Sequence, residues 1–233
     1  MSKIAIITAR GGSKRIPKKN IRPFCGKPIL AYSIEAAKES GIFDEVMVST
    51  DSEEIAETAR RYGASVPFLR SEKTAGDFAT TADVIEEVLD AYAAKGENFG
   101  AFLCIYPTAP FVTAERLAEA AALFDAAGEG GQLPDAVVPV VRFSFPPQRG
   151  FIEKDGYLQY RWPENAFKRS QDLEPMYHDA GQFYLVRTKA FMTERTVVPA
   201  KTAPLILPEM MVQDIDNEED WEIAEIKYRK RFM

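Results

Sequence analysis

The run Ile4-Ala5-Ile6-Ile7-Thr8-Ala9, followed by Arg10-Gly11-Gly12-Ser13-Lys14-Arg15-Ile16-Pro17-Lys18-Lys19-Asn20, constrains this chain more than any other stretch. An apolar, β-branched run that breaks at a glycine pair reads as a strand buried on both faces and ending in a loop. That loop is cationic: Arg10, Lys14, Arg15, Lys18, Lys19, Arg22 and Lys27 all precede the first acid, Glu35, in a protein with 35 Asp plus Glu against 29 Lys plus Arg. Glycines let the N–H groups of Gly11 to Ser13 turn toward one centre, where Ser13 and the neighbouring cations can neutralise a polyphosphate. The competing reading is a solvated basic surface loop. Position favours the first, because open α/β sheets bind nucleotides just beyond the carboxyl ends of their strands. The spacing is neither G-x-x-x-x-G-K-S/T nor G-x-G-x-x-G, which disfavours a kinase and a dehydrogenase.

The pattern downstream is α/β. Apolar spacing predicts a helix over 28–40, closed by Gly41, then a strand over 46–50. Asp51 or Ser52 is positioned to cap a helix over 53–62, and 66–69 reads as a short extended piece. A helical pattern runs from Asp77 to Tyr92, a buried strand covers 99–106, and Pro107-Thr108-Ala109-Pro110 breaks its ladder. Thr113 caps a helix to Phe124, a glycine-rich turn follows at 128–131, and a strand covers 136–141. These alternations predict a Rossmann-like, doubly wound, mainly parallel sheet with right-handed crossovers.

At about 142–180 the composition turns to aromatics and prolines with no helical period, an excursion suited to covering a substrate or forming a subunit interface. A strand over 182–186, an extended piece over 211–216 and a terminal helix over 218–232 complete the chain, the helix packing Trp221, Ile223, Ile226 and Tyr228. The 233 residues are therefore expected to form one domain with that excursion.

A net charge of −6 argues against general nucleic-acid binding and leaves a small anion as the partner of the basic loop. Cys25 and Cys104 are expected to be reduced thiols of a cytoplasmic protein. Neither a signal peptide nor a membrane span is expected, since the first apolar run is short and ends in glycine and charge.

Asp214 and Asp216 are two apart in the extended piece, so both carboxylates would project from one face and could hold a divalent cation. Mg²⁺ takes one or two protein carboxylates and completes its octahedron with water and phosphate. The alternative is helix capping, because Asp216-Asn217-Glu218-Glu219 leads into the terminal helix. The basic loop favours the metal, as a metal-bound triphosphate needs both parts. Asp220 reads as an N-terminal helix acid. His178, the only histidine, is open to two readings: a general base beside Asp179, or a surface or substrate-contacting side chain. One His and two distant Cys make zinc a poor fit.

With those residues in view, essentially the whole chain resembles the CMP-sialic acid synthetase family. The general pattern is carried by Ala9 to Asn20, by Val48-Ser49-Thr50-Asp51, by Arg70 with Asp77 and Thr81, and by Asp214-Ile215-Asp216. The pseudaminate-activating branch is matched by Cys104-Ile105-Tyr106-Pro107-Thr108-Ala109-Pro110-Phe111, Phe145-Pro146-Pro147-Gln148-Arg149, Arg169-Ser170-Gln171-Asp172-Leu173-Glu174 and His178-Asp179-Ala180-Gly181-Gln182-Phe183-Tyr184. Tyr106, Ser170 and His178 depart from the N-acetylneuraminate branch where a different acidic nine-carbon sugar would require it.

The resemblance implies a nucleotide-diphospho-sugar transferase-like fold and a homodimer. It also implies a Mg²⁺-dependent reaction in which a nonulosonic acid and CTP give a CMP-sugar and pyrophosphate. It places Ala9, Arg10, Gly11, Gly12, Ser13, Lys19, Asn20, Arg70, Asp77 and Thr81 around the nucleotide, with Arg70 and Thr81 near the cytosine. Arg10, Lys19, Asp214 and Asp216 would act in catalysis, the two aspartates as metal ligands. Tyr106, Thr108, Gln148, Arg149, Arg169, Ser170, Gln171, Asp172, His178 and Gln182 would face the sugar. Another acid such as legionaminate or Kdo, or a CTP sensor without turnover, are the rival readings.

Overall fold

β1 (Lys3–Thr8) lies at the heart of the sheet, fully buried from Ile4 to Ile7. It pairs in parallel with β4 (Glu45–Ser49) on one side and β5 (Ala101–Ile105) on the other. Alternation along the strand sends Ala5 and Ile7 to one face, Ile4 and Ile6 to the other. The first face is covered by α1 (Ile29–Glu39), α2 (Glu53–Arg61) and α5 (Ala114–Asp125). The second is covered by α4 (Thr81–Ala93) and α6 (Thr188–Glu194). A strand covered on both sides must be apolar throughout, which explains its composition. This computed structural model describes residues 1–128 and 131–233, so part of the predicted turn at 128–131 lies outside the described residues.

The described sheet continues with β6 (Ala136–Arg142), β9 (Tyr177–Asp179), β10 (Phe183–Arg187) and β11 (Thr202–Ile206), in the order β11-β6-β10-β5-β1-β4 with β9 paired to β6. β10 is antiparallel to both neighbours, β5 and β6, and β9 is antiparallel to β6. The other strands share one direction, so the sheet is mainly parallel with a reversed strand inserted beside β5.

Several expectations need correction. The piece at 66–69 is not a strand: only Ser65 bridges to Met47, and Pro67 has no N–H with which to extend the ladder. The piece at 211–216 joins no sheet; a 3-10 turn, Glu209–Met211, precedes irregular chain. On α7 (Glu218–Phe232), Ile223 and Ile226 are 37% and 64% exposed, whereas Trp221, Ala224 and Tyr228 face inward at helical spacing. Neither Asp51 nor Ser52 caps α2 through its side chain. Thr113 does cap α5, accepting from the N–H of Arg116.

After the basic loop, β2 (Pro23–Phe24) and β3 (Lys27–Pro28) form a tight hairpin. Its turn holds Cys25 and Gly26 at φ of 44° and 106°, the positive values such a turn demands. Phe24 is fully buried, edge-on to Tyr32, Trp221 and Tyr228. Residues 143–176 leave the main sheet. Within them β7 (Phe151–Lys154) and β8 (Tyr157–Tyr160) make a separate, exposed hairpin. α3 (Glu72–Ala75) is a single turn leading toward α4. No helix among the described residues is long and apolar enough to cross a membrane.

Candidate active site

Beyond the carboxyl ends of β1 and β5 opens a cavity of about 490 Å³. Its walls come from Arg10, Ser13, Lys14, Arg15, Lys19 and Asn20 of the basic loop, Arg70, Asp77 and Thr81 before and at the start of α4, Tyr106 and Thr108 after β5, and Asp214.

The basic loop is held by its own bonds. The N–H of Gly11 donates to Asp51 Oδ1 at 2.7 Å, that of Ser13 to the carbonyl of Gly11 at 3.0 Å, and Asn20 Nδ2 to the carbonyl of Arg10 at 2.8 Å. Two of the three N–H groups expected to cradle phosphate are therefore engaged internally, and the cavity's positive charge comes chiefly from side chains. A Cβ at Gly11 would sit 3.1 Å from the Cβ of Ser52, so any other residue there needs Ser52 to give by a few tenths of an ångström. Asp51, which the sequence offers as a helix cap and as the end of the Val48-Ser49-Thr50-Asp51 pattern, braces this loop. Its place at the carboxyl end of β4, next to β1, was the available signal. Asp51→Ala is expected to lower kcat/KM for CTP about tenfold, with Asp51→Asn, which keeps an acceptor oxygen, recovering most of it. Steady-state kinetics of the two variants checks this.

Arg70 is buried, donating from Nε to Ser49 Oγ at 3.0 Å and from Nη2 to the Ser49 carbonyl at 2.7 Å. Burial pushes its pKa below the usual guanidinium range, opposed first by the charge of Asp51. Asp77 bridges two loop cations, accepting from Arg10 Nη1 at 2.9 Å and Lys14 Nζ at 2.5 Å. Lys14 first, and then Arg10, hold its carboxyl below the usual range. A carboxylate there competes with phosphate for both cations.

The acid pair meets the loop. Lys19 Nζ donates to the carbonyl of Ile215 at 2.7 Å, between Asp214 and Asp216, and Arg15 Nη2 donates to Asp216 Oδ1 at 2.7 Å. Burial lowers the pKa of Lys19, against the opposing charges of Asp216 and then Asp214. The apolar residues between these charges explain the convergence. Ile16 and Ile215 are buried in one cluster with Phe24, Phe111 and Trp221, which turns the flanking polar side chains outward. Capping does not occupy the pair, because α7 is capped reciprocally by Asn217 and Asp220. Asp220 is thus the helix acid expected. Gln182, buried, donates from Nε2 to the Met211 carbonyl at 2.6 Å, and Lys227 Nζ donates to the Val212 carbonyl at 2.8 Å; both pin the segment leading to Asp214. Among the described residues no group of three or more metal-type side chains is present. Two hard carboxylates beside an anion-binding wall suit a cation that takes its remaining ligands from water and phosphate.

Of the side chains expected around the sugar, Tyr106 and Thr108 line the cavity and the excursion residues do not. Gln148 donates from Nε2 to the Glu174 carbonyl at 2.7 Å, and Arg169 makes a bidentate pair with Asp172. Arg149, Ser170 and Gln171 are exposed. His178 is exposed on β9, its ring against Phe143 at 5.0 Å and its Nδ1 2.9 Å from the Asp179 carbonyl, with no carboxylate partner that would make it a base. Part of the excursion pairs with itself, β7 against β8, and β9 with His178 pairs with β6.

The comparisons with known proteins agree with this geometry. A family profile described as Cytidylyltransferase matches residues 4–145, from β1 through β6. A pseudaminic acid cytidylyltransferase of Campylobacter jejuni is 39% identical, covering 98% of this chain and 97% of that protein. A CMP-N,N'-diacetyllegionaminic acid synthase of Legionella pneumophila is 36% identical, covering 95% and 94%. Among solved structures, a CMP:2-keto-3-deoxy-manno-octonic acid synthetase complexed with CTP matches with a TM-score of 0.69 at 15% identity over 100% of both chains, a likeness of fold. A basic loop and Asp214 facing one cavity, with a family match through most of the sheet and relatives aligned nearly end to end, make this chain a member of the cytidylyltransferase family.

Proposed function

We propose that this protein transfers the cytidylyl group of CTP to pseudaminic acid, giving CMP-pseudaminic acid and pyrophosphate. The observation that carries the reading is the bond from Lys19 to the Ile215 carbonyl, which brings the segment holding Asp214 and Asp216 against a cavity wall that also carries Arg10, Lys14 and Arg15. The anomeric hydroxyl of the sugar attacks the α-phosphorus, the bond to the β-phosphate oxygen breaks, and the hydroxyl proton passes to solvent. Arg10, Ser13, Lys19 and Asn20 hold the phosphates, and Arg70 and Thr81 face the cytosine. Asp77 gives up Arg10 and Lys14 as the triphosphate enters. Positioning and charge neutralisation then lower the barrier. Asp214 and Asp216 would hold Mg²⁺, which when bound supplies further neutralisation of the phosphate charge.

The exposed aromatic and aliphatic side chains of the excursion, Phe145, Tyr157, Leu158 and Phe167, support a homodimer formed through that region. A reaction that draws on CTP supports a cytoplasmic location. The 36% identity to a legionaminate enzyme gives the second reading, the same chemistry on a different nonulosonate. Pyrophosphate release decides it: the purified protein with CTP, UTP and GTP, each against pseudaminic, legionaminic and N-acetylneuraminic acids. CTP with pseudaminic acid is expected to exceed every other pair in kcat/KM. Equal or higher turnover of legionaminate would reassign the sugar, and tight CTP binding without pyrophosphate release would make the protein a sensor.

A further inference from the structure

The chain from Val212 to Ile215 belongs to no helix or sheet, and among the described residues no main-chain N–H is bonded to any of its carbonyls. Side chains from distant elements hold the first and the last of them instead. Lys19 Nζ donates to the Ile215 carbonyl at 2.7 Å from the basic loop, and Lys227 Nζ, from α7, donates to the Val212 carbonyl at 2.8 Å. Lys227 also donates to Gln213 Oε1 at 3.0 Å and to the Glu209 carbonyl at 3.5 Å. Just upstream, the buried Gln182 donates from Nε2 to the Met211 carbonyl at 2.6 Å. Asp214 therefore sits between two peptide planes, 212–213 and 215–216, each fixed by an ammonium from a different part of the fold.

We infer that Lys227 is a positioning residue, seconded by Gln182: bonded to the chain just before Asp214, the two hold that carboxylate at the cavity in the orientation a divalent cation needs. This rests on the proposed function for the cation. Two observations favour positioning over plain helix packing. First, every acceptor of Lys227 is neutral and lies within 209–213, and among the described residues it makes no ion pair, whereas Arg229 on the same helix pairs with Glu225. Its charge-assisted bonds, the strong kind, thus all go to a stretch that has no ladder of its own. Second, neither Lys227 nor Gln182 lines the cavity, yet both close on the residues preceding Asp214, which does. Any effect they have on the site therefore passes through that segment. Outer partners of this kind orient a metal ligand rather than supply one, and losing one costs about 10- to 100-fold in metal affinity.

The test uses Mn²⁺, which shares the preference of Mg²⁺ for hard oxygen ligands, as the probe. Its binding to the full-length protein is read from the EPR signal of the free ion, without and with CTP, beside calorimetry of CTP in EDTA and melting temperatures. Lys227→Met is expected to weaken Mn²⁺ binding about tenfold while CTP affinity in EDTA stays within about twofold and the melting temperature within a few degrees. Lys227→Arg should recover part of the loss, since a guanidinium still donates to the Val212 carbonyl. Lys230→Met removes a charge from the exposed face of the same helix and should leave Mn²⁺ binding unchanged. Gln182→Met, which removes the amide donor at the Met211 carbonyl, is expected to act as Lys227→Met does and carries the test if Lys227→Met does not fold. Parental Mn²⁺ affinity in the folded variant, a parallel fall in metal-free CTP affinity, or equal weakening by Lys230→Met would overturn the inference and leave the metal reading of Asp214 intact. A parent protein that binds no Mn²⁺, with or without CTP, would overturn both.

Discussion

Asp214→Asn is expected to reduce kcat by about 100-fold or more with Mg²⁺ present, the scale on which loss of one preorganised electrostatic group acts. Asp214 lines the cavity and Lys19 is bonded to the carbonyl of the neighbouring Ile215, so the substitution removes a carboxylate charge without removing the side chain's shape. Asp216→Asn differs in one respect. It also weakens the hold on Arg15, which donates to Asp216 Oδ1 at 2.7 Å, and should therefore raise KM for CTP as well as lower kcat. The check is pyrophosphate release from both variants over a Mg²⁺ titration. Parental turnover by both would show that the pair holds no metal.

Lys19→Met is expected to cost about 10²- to 10³-fold in kcat/KM. Its ammonium is the most enclosed cation of the loop, half-buried and bonded to the Ile215 carbonyl, and burial lowers its pKa even though two carboxylates oppose the shift. A charge held so close is preorganised toward an incoming phosphate and at the same time keeps Asp214 and Asp216 from repelling one another. Lys19→Arg should recover only part of the loss, because a planar guanidinium cannot replace a compact ammonium at that carbonyl. Kinetics of the two variants, with melting temperatures to separate folding from catalysis, decides the matter. Activity of Lys19→Met within a few-fold of the parent would remove Lys19 from the chemistry.

The sheet was legible because β1 and β5 are buried on both faces and so carry unbroken apolar runs, and because Thr113 carries an unambiguous capping signal. β11 was not legible. It is a half-buried edge strand interrupted by Pro204, and an edge tolerates both the proline and the polar residues that hide the pattern. The helix α6 is too short to show a period.

Charge concentration picks out Arg10, Lys14, Arg15 and Lys19, which line the cavity, and two-residue spacing picks out Asp214, which lines it, and Asp216, which does not, though the strand inferred for the pair does not exist. What spacing suggested, burial of Ile215 between the acids accomplishes. The loop brace by Asp51 and the pins from Gln182 and Lys227 are long-range contacts with no local signature. The residues at 148–178 that the resemblance sets around the sugar do not line the cavity of their own chain, and nothing local in that polar, aromatic stretch says which way it folds.

Ile16 and Ile215, far apart in the chain, share one apolar cluster with Phe24 and Trp221, and Arg22 stacks over the Trp221 indole at 4.6 Å. The basic loop and the acid segment are thus mounted on a single keel, which draws on the hairpin after the loop, the start of α1, Phe111 and the last helix. Fraying of the carboxyl-terminal helix is therefore expected to let the cations and the acids drift out of alignment together while the sheet persists, read as activity lost below the melting temperature.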